Sequence, residues 1–182
     1  MSDDPHPYPR EAMTCVVAVA TGRKVLLGAD SLIATESEVW PAGLPKIWVA
    51  GGGKYGIGFA GELEWGDFLR YHVHWPAKTD NLPRRLTACV KRAVKRTGID
   101  LKKLDGSAII CHAGQIYSMD SFLTVVPDTR GYLAIGQSDL AHGVLFATNK
   151  LALTPKRRVR LALEAAAEHS KDVRKPWVWL KV

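Results

Sequence analysis

Three residues of different chemistry recur at one interval in this chain. Thr14, Asp30 and Lys46 stand sixteen residues apart, each at the border of an apolar run: Thr14 before Cys15-Val16-Val17-Ala18-Val19-Ala20, Asp30 after Val25-Leu26-Leu27-Gly28-Ala29, and Lys46 between Pro45 and Ile47-Trp48-Val49-Ala50. A hydroxyl is a useful nucleophile only when a base takes its proton. A threonine that opens a chain carries such a base itself, the α-amine, whose reference pKa of about 7.7–8.0 leaves much of it neutral at working pH. For Thr14 this requires loss of residues 1–13, because an amide nitrogen is no base. Taken singly, Asp30 is by default a turn residue and Lys46 a solvated strand end; the joint spacing points to a site. Cys15 beside Thr14 invites a thiol reading, but a strand beginning there turns its side chain away and favours a buried thiol.

The runs around these residues read as strands. Positions 15–20, rich in valine, and 25–29 are apolar almost throughout, as expected of strands covered on both faces, with a turn between them. A loop with Pro41, Gly43 and Pro45 leads to a third strand at 46–50, and Gly51-Gly52-Gly53-Lys54 turns into a fourth at 55–60. Helices follow at 62–75, ended by Pro76, and at 81–97, where Leu82, Leu86, Val90 and Ala93 or Val94 form one stripe opposite a basic face. Strands at 107–112, 115–119, 122–126 and 131–135 precede helices at 140–148 and 155–170 and a last strand at 176–182. Strands joined by short turns pair antiparallel. Two such sheets with helix pairs outside bury every sheet face, so the expected fold is α+β, a four-layer αββα sandwich rather than a doubly wound parallel sheet.

Length and composition bound the function classes. At 182 residues the chain fits a tail over 1–13, read as a propeptide or a mis-assigned start, and one domain over 14–182. Hydrophobic residues at 47% and charged residues at 24% are globular proportions. No apolar run has the ~18–20 residues that span a bilayer, and the acidic, proline-rich start is no secretory signal. Three scattered cysteines, Cys15, Cys89 and Cys111, form no disulfide framework, so a reducing cytoplasm is the expected setting. His72 and His74 lie two apart, off one helix face, and the other histidines have no ligand spacing. Gly51–Gly56 matches GxGxxG in letters, but a strand follows where a dinucleotide site needs a helix. No metal and no cofactor are expected. Net charge is +7, from 25 Lys+Arg against 18 Asp+Glu, and removing residues 1–13 raises it to +9. The cations crowd the solvated faces of two helices, which sets a basic nucleic-acid-binding module as a rival reading rather than the first one.

Thr14-Cys15-Val16-Val17-Ala18-Val19 resembles the opening Thr-Thr-Ile-Val-Ala-Val of the proteasome β-subunit and HslV family of N-terminal-nucleophile hydrolases. The aspartate after Gly28-Ala29, the lysine that opens the third strand, Gly58-Phe59-Ala60-Gly61 and Ala134-Ile135-Gly136 resemble further family landmarks, so the likeness runs from Thr14 to Val182. The chain is close in size to HslV and to the proteasome homologues of β-proteobacteria. The resemblance implies a threonine endopeptidase in which Thr14 is the nucleophile. Lys46 favours its deprotonation, Asp30 fixes Lys46, and the Gly61 N–H receives the oxyanion. Ser138 and Asp172 stand in the supporting positions, with two departures. The family has Ser directly after Ala-Ile-Gly where this chain has Gln137 and then Ser138, and Asp-x-x-Ser becomes Asp172-Val173-Arg174-Lys175. By position Ile33, Leu44, Trp48, Phe59 and Leu63 line a substrate pocket favouring an apolar side chain. The implied partners are further copies of the chain in stacked rings of six or seven, an unfolded protein or peptide substrate, and an ATPase unfoldase; no membrane is implied. The departures motivate a rival, a catalytically silent ring or scaffold subunit, and a small-amide hydrolase is a second.

Overall fold

The computed structural model describes residues 14–34, 39–41 and 43–182; the tail over 1–13 lies outside the described residues. Two antiparallel sheets form the centre. The first has the order β10-β1-β2-β11, with β1 at Cys15–Thr21, β2 at Lys24–Asp30, β10 at Tyr132–Gly136 and β11 at Trp177–Lys181. The second has the order β5-β6-β7-β8-β9, with β5 at Ile47–Ala50, β6 at Tyr55–Gly61, β7 at Gly106–His112, β8 at Gln115–Asp120 and β9 at Val125–Pro127. Helices α1 (Leu63–Asp67) and α2 (Leu82–Thr97) cover the second sheet, and α3 (Asp139–Thr148) and α4 (Pro155–His169) cover the first. The fold is α+β with four layers.

The period-two alternation of β1 builds this layering. Val16 and Ala18 meet Leu27, Ile47, Ile109 and Ile135 between the sheets. Cys15, Val17 and Val19 face the other way, onto Leu145, Val159, Leu163 and Ala166 of α3 and α4. A strand with a hydrophobic partner on each side reads as a continuous apolar run. On the far side, Ile57, Ala108 and Ile110 pack against Trp65 of α1, Phe68 just after it, and Leu86 and Val90 of α2. Fully burying a large apolar side chain contributes about 1.5–3 kcal/mol, and all three interfaces are lined with such residues.

Three expected boundaries differ. The stretch read as a loop before the third strand holds a two-stranded ribbon, β3 (Leu32–Ala34) with β4 (Val39–Pro41), whose three-residue strands the Pro and Gly punctuation conceals. The expected strand at 122–126 starts late. The Asp120 carboxylate accepts the Thr124 N–H at 2.8 Å, Leu123 adopts φ 64°, and the resulting turn leaves Phe122 85% exposed. The first helix widens into a π-helical turn at Phe68–His72 and stops there, because Val73 is already extended (φ −92°, ψ 119°). Among the described residues no helix is long and apolar enough to cross a membrane.

Candidate active site

The sixteen-residue interval is the geometry of a hairpin. β1 and β2 are seven residues each and Gly22-Arg23 joins them, so the chain returns Asp30 to the end where Thr14 begins. Lys46, the residue before β5, reaches the same point from the other sheet. The Thr14 Oγ1 donates to Asp30 Oδ1 at 2.5 Å, the Cys15 N–H donates to the same oxygen at 3.0 Å, and Lys46 Nζ donates to Asp30 Oδ2 at 2.7 Å. All three side chains are buried: Thr14 is 1% exposed, Asp30 0% and Lys46 2%. One carboxylate therefore holds a hydroxyl, a backbone amide and an ammonium away from bulk water.

Burial shapes the electrostatics. It pulls the Lys46 ammonium below its ordinary value, and the Asp30 carboxylate opposes the shift. Burial, with Asp30 beside it, pushes the Cys15 thiol up to about 12, so it stays protonated at neutral pH.

Two glycines close the site. The Gln137 N–H donates to the Thr14 carbonyl at 2.7 Å. Gly136 sits at φ +79°, and a Cβ there would lie 2.0 Å from the Thr14 oxygen and 3.1 Å from the Ala60 Cβ. This triangulation sets the end of β6 beside Thr14. Gly61, at φ +107°, has no room for a side chain either: a Cβ would meet the Gly106 Cα at 2.5 Å and the Asp105 carbonyl at 2.6 Å.

The remaining expected site residues fall in different places. Ser138 stands at the N-terminus of α3 without a side-chain capping bond, and its carbonyl accepts the His142 N–H at 2.7 Å. Asp172 is buried; its N–H donates to Ser170 Oγ, and among the described residues its carboxylate has no hydrogen-bond partner. The segment after it runs onto the Asp30 strand end, where Ser31 Oγ donates to the Pro176 carbonyl at 2.9 Å and Trp177 pairs with Asp30. Of the expected pocket residues, Leu44 is half exposed. Phe59 is buried and so close to α1 that a Cβ on Gly66 would lie 2.4 Å from its ring. Leu63 packs on the same cluster, Trp48 meets Phe59 edge-on at 6.1 Å, and the side chain of Ile33 lies outside the described residues. Among the described residues no group of three or more His, Cys, Asp or Glu could hold a metal.

Sequence reasoning passed over Arg70 and the Gln137 amide. The Arg70 guanidinium lies 4.2 Å over the Trp48 ring and donates to the Pro45 carbonyl. A backbone N–H leaves no mark in sequence at all.

No family model and no curated protein matches the chain. Solved structures do. Eukaryotic HslV from Trypanosoma brucei is 22% identical with a TM-score of 0.73, covering 92% of this chain and 98% of that one. BPH of Thiobacillus denitrificans, solved in complex with epoxomicin, is 18% identical with a TM-score of 0.78 over 93% and 98%. Anbu, the ancestral beta-subunit of Yersinia bercovieri, is 12% identical with a TM-score of 0.71 over 92% and 81%. At these identities the shared property is the fold, and the four-layer fold of this chain is that of HslV, BPH and Anbu.

Proposed function

We propose that the chain is a threonine-type endopeptidase acting through a free Thr14. The buried chain Thr14–Asp30–Lys46 carries this reading, since it holds a hydroxyl in line with a carboxylate and an ammonium in a water-poor setting. Once residues 1–13 are removed, the Thr14 α-amine takes the Oγ1 proton as the oxygen attacks a peptide carbonyl. The Lys46 ammonium favours the alkoxide and the neutral amine, and Asp30 holds that ammonium in place. The Gly61 N–H stabilises the oxyanion, an interaction whose loss typically costs about 3–4 kcal/mol. The α-ammonium returns its proton to the leaving amine, and the remaining ester on Thr14 is hydrolysed by water activated by the same amine. Ser138 and Asp172 support the amine and that water. Trp48, Phe59 and Leu63, with Ile33 and Leu44, give the substrate site an apolar wall.

Like the BPH structure that holds epoxomicin, the mature chain is expected to take a peptide epoxyketone on its first residue. Intact mass after incubation tests this. The expected adduct lies on a chain starting at Thr14 and is lost in Thr14→Ala. A folded chain that starts at Thr14 yet gives neither adduct nor peptide hydrolysis would overturn the proposal. That result would favour the silent-subunit reading, which Gln137 and Lys175 in place of the two family serines motivate. Self-assembly belongs to the same proposal, in rings enclosing the sites. Anbu of Pseudomonas aeruginosa forms a helical assembly, so electron microscopy of the purified oligomer is the measurement that separates ring from helix. An ATPase unfoldase and a cytoplasmic setting complete this reading.

A further inference from the structure

The proposed mechanism depends on one backbone N–H, that of Gly61, and neither Thr14, Asp30 nor Lys46 aims it. Two contacts give its direction. The Phe59 N–H donates to the Lys46 carbonyl at 3.2 Å, so Gly61, two residues further along β6, turns its N–H to the same side. The Ala60 carbonyl, across the same trans peptide, points the other way: a Cβ on Gly106 of β7 would lie 3.0 Å from its oxygen. The register with β5 ends at Gly58, so among the described residues no strand lies opposite Gly61 on the Lys46 side.

Gly61 itself has no side chain to hold this orientation, and at φ +107° it has left the ordinary strand conformation. The residue after it supplies the hold. The Glu62 N–H donates to the Asp105 carbonyl at 2.9 Å, and the Asp105 N–H donates back to the Glu62 carboxylate at 3.2 Å. Asp105 precedes Gly106, the residue paired with Gly61 across β6 and β7. Two hydrogen bonds in opposite directions thus close a ring through Gly61, Glu62, Asp105 and Gly106. Gly106 cannot retreat from it, because the Trp65 indole occupies the place its Cβ would need and its carbonyl accepts the Ser121 N–H at 3.1 Å. The residue type is otherwise unexplained. Glu62 directly precedes α1, where short polar side chains are preferred, and its carboxylate makes no capping bond to that helix.

We infer that Glu62 is a positioning residue for the reaction: its carboxylate, through the Asp105 amide, fixes the Gly61 peptide so that the N–H faces the place where the oxyanion forms. This rests on the threonine-peptidase reading. An oxyanion donor works only within hydrogen-bond reach of the developing charge, and a misplacement of about 1 Å can cost about a hundredfold in rate. What Glu62 contributes is reach and an acceptor rather than charge, and its carboxylate touches no reacting atom.

Steady-state hydrolysis of a fluorogenic peptide with an apolar residue before the scissile bond, by the full assembled chain starting at Thr14, tests this. Glu62→Ala should lower kcat and kcat/KM together by about tenfold to a hundredfold, the mark of an interaction made only in the transition state. Glu62→Gln keeps an acceptor of the same reach and should restore turnover to within about threefold of the parent. Glu62→Asp keeps the charge and suits a position before a helix, but its carboxylate is one methylene short, so it should fall with Glu62→Ala. If Glu62→Ala fails to fold, the order of Gln above Asp still decides. Glu64→Ala, which removes the same charge from the exposed side of α1, should change nothing. A higher KM at constant kcat, parent-like turnover by Glu62→Asp, a loss in Glu62→Gln equal to that in Glu62→Asp, or an equal loss in Glu64→Ala would overturn the inference while leaving the peptidase reading intact. A parent that starts at Thr14 and turns over no peptide would overturn both.

Discussion

Replacing Asp30 with Asn leaves size and shape almost unchanged and removes only charge. In the native chain Asp30 receives Lys46 at 2.7 Å, Thr14 at 2.5 Å and the Cys15 amide at 3.0 Å. Among the described residues the Lys46 ammonium has no other partner, and its side chain is 3% exposed. Asp30→Asn therefore strands a buried cation, which typically costs about 3–5 kcal/mol. Lys46→Met removes the ammonium, but the carboxylate keeps Thr14 and the Cys15 amide as donors, so the loss should be smaller, about 2–3 kcal/mol. The double variant removes both charges and should be more stable than Asp30→Asn alone, with a coupling of at least about 2 kcal/mol. In Asp30→Asn the native Lys46 pKa drops still further below its unfolded value of about 10.4, so the unfolded state binds more protons and stability rises with pH up to that value. Urea unfolding followed by tryptophan fluorescence, at one protein concentration because assembly contributes, measures all of this. If Lys46→Met proves more damaging than Asp30→Asn, or the two losses simply add, the pair does not carry the energetics assigned to it.

Gly136→Ala should lose about 1–2 kcal/mol for its left-handed backbone alone, and more as its Cβ displaces the Thr14 carbonyl 2.0 Å away; thermal unfolding and the rate of epoxyketone labelling read both effects. The Cys15 thiol, pushed up to about 12, should resist iodoacetamide at pH 8 in the folded chain and react once the chain is unfolded, as mass spectrometry of the labelled peptide will show. His142 accepts the Ala134 N–H through Nε2 at 3.1 Å, and burial, with Arg130 nearby, holds it below its ordinary value. Protonation is thus disfavoured in the native state, so stability should decline as pH falls from about 6.5 toward the native pKa and level off below it. His142→Gln, which keeps an acceptor without titrating, should show a shallower acid loss than the parent in unfolding curves at pH 7.5 and 5.5.

How much of this was legible depended on whether the controlling interaction is local. The β1–β2 hairpin and its carboxylate were readable, because two apolar runs of nearly equal length around the turn at 21–24 fix where Asp30 returns. α2 was readable because Leu82, Leu86, Val90 and Ala93 keep one stripe. The ribbon at β3–β4 was not, since three-residue strands carry no period. Nor was the turn after β8: Phe122 reads as a strand residue until the Asp120 carboxylate captures Thr124. The Arg70–Trp48 stack joins residues 22 apart on different elements, and only packing brings them together. The Gly136–Thr14 contact is hidden for the same reason, although the glycine itself was a visible landmark.

The site also shows why its polar side chains sit at strand ends rather than on loops. Thr14 is held by its carbonyl through the Gln137 amide after β10, by its hydroxyl through Asp30 at the end of β2, and by its neighbour's amide through that same carboxylate. Each partner sits at or just past the end of a strand whose interior is locked between two apolar layers, so the hydroxyl is placed by the core itself. The cost is that nothing nearby is free to adjust. Glycine is obligatory at 136 because the Thr14 oxygen occupies the Cβ position, and at 61 because Asp105 and Gly106 do. Two sheets must also converge before Lys46 meets Asp30. A chain with the same three residues at the same spacing, but without these two glycines, would bring the charges together and still fail to hold the threonine in this position.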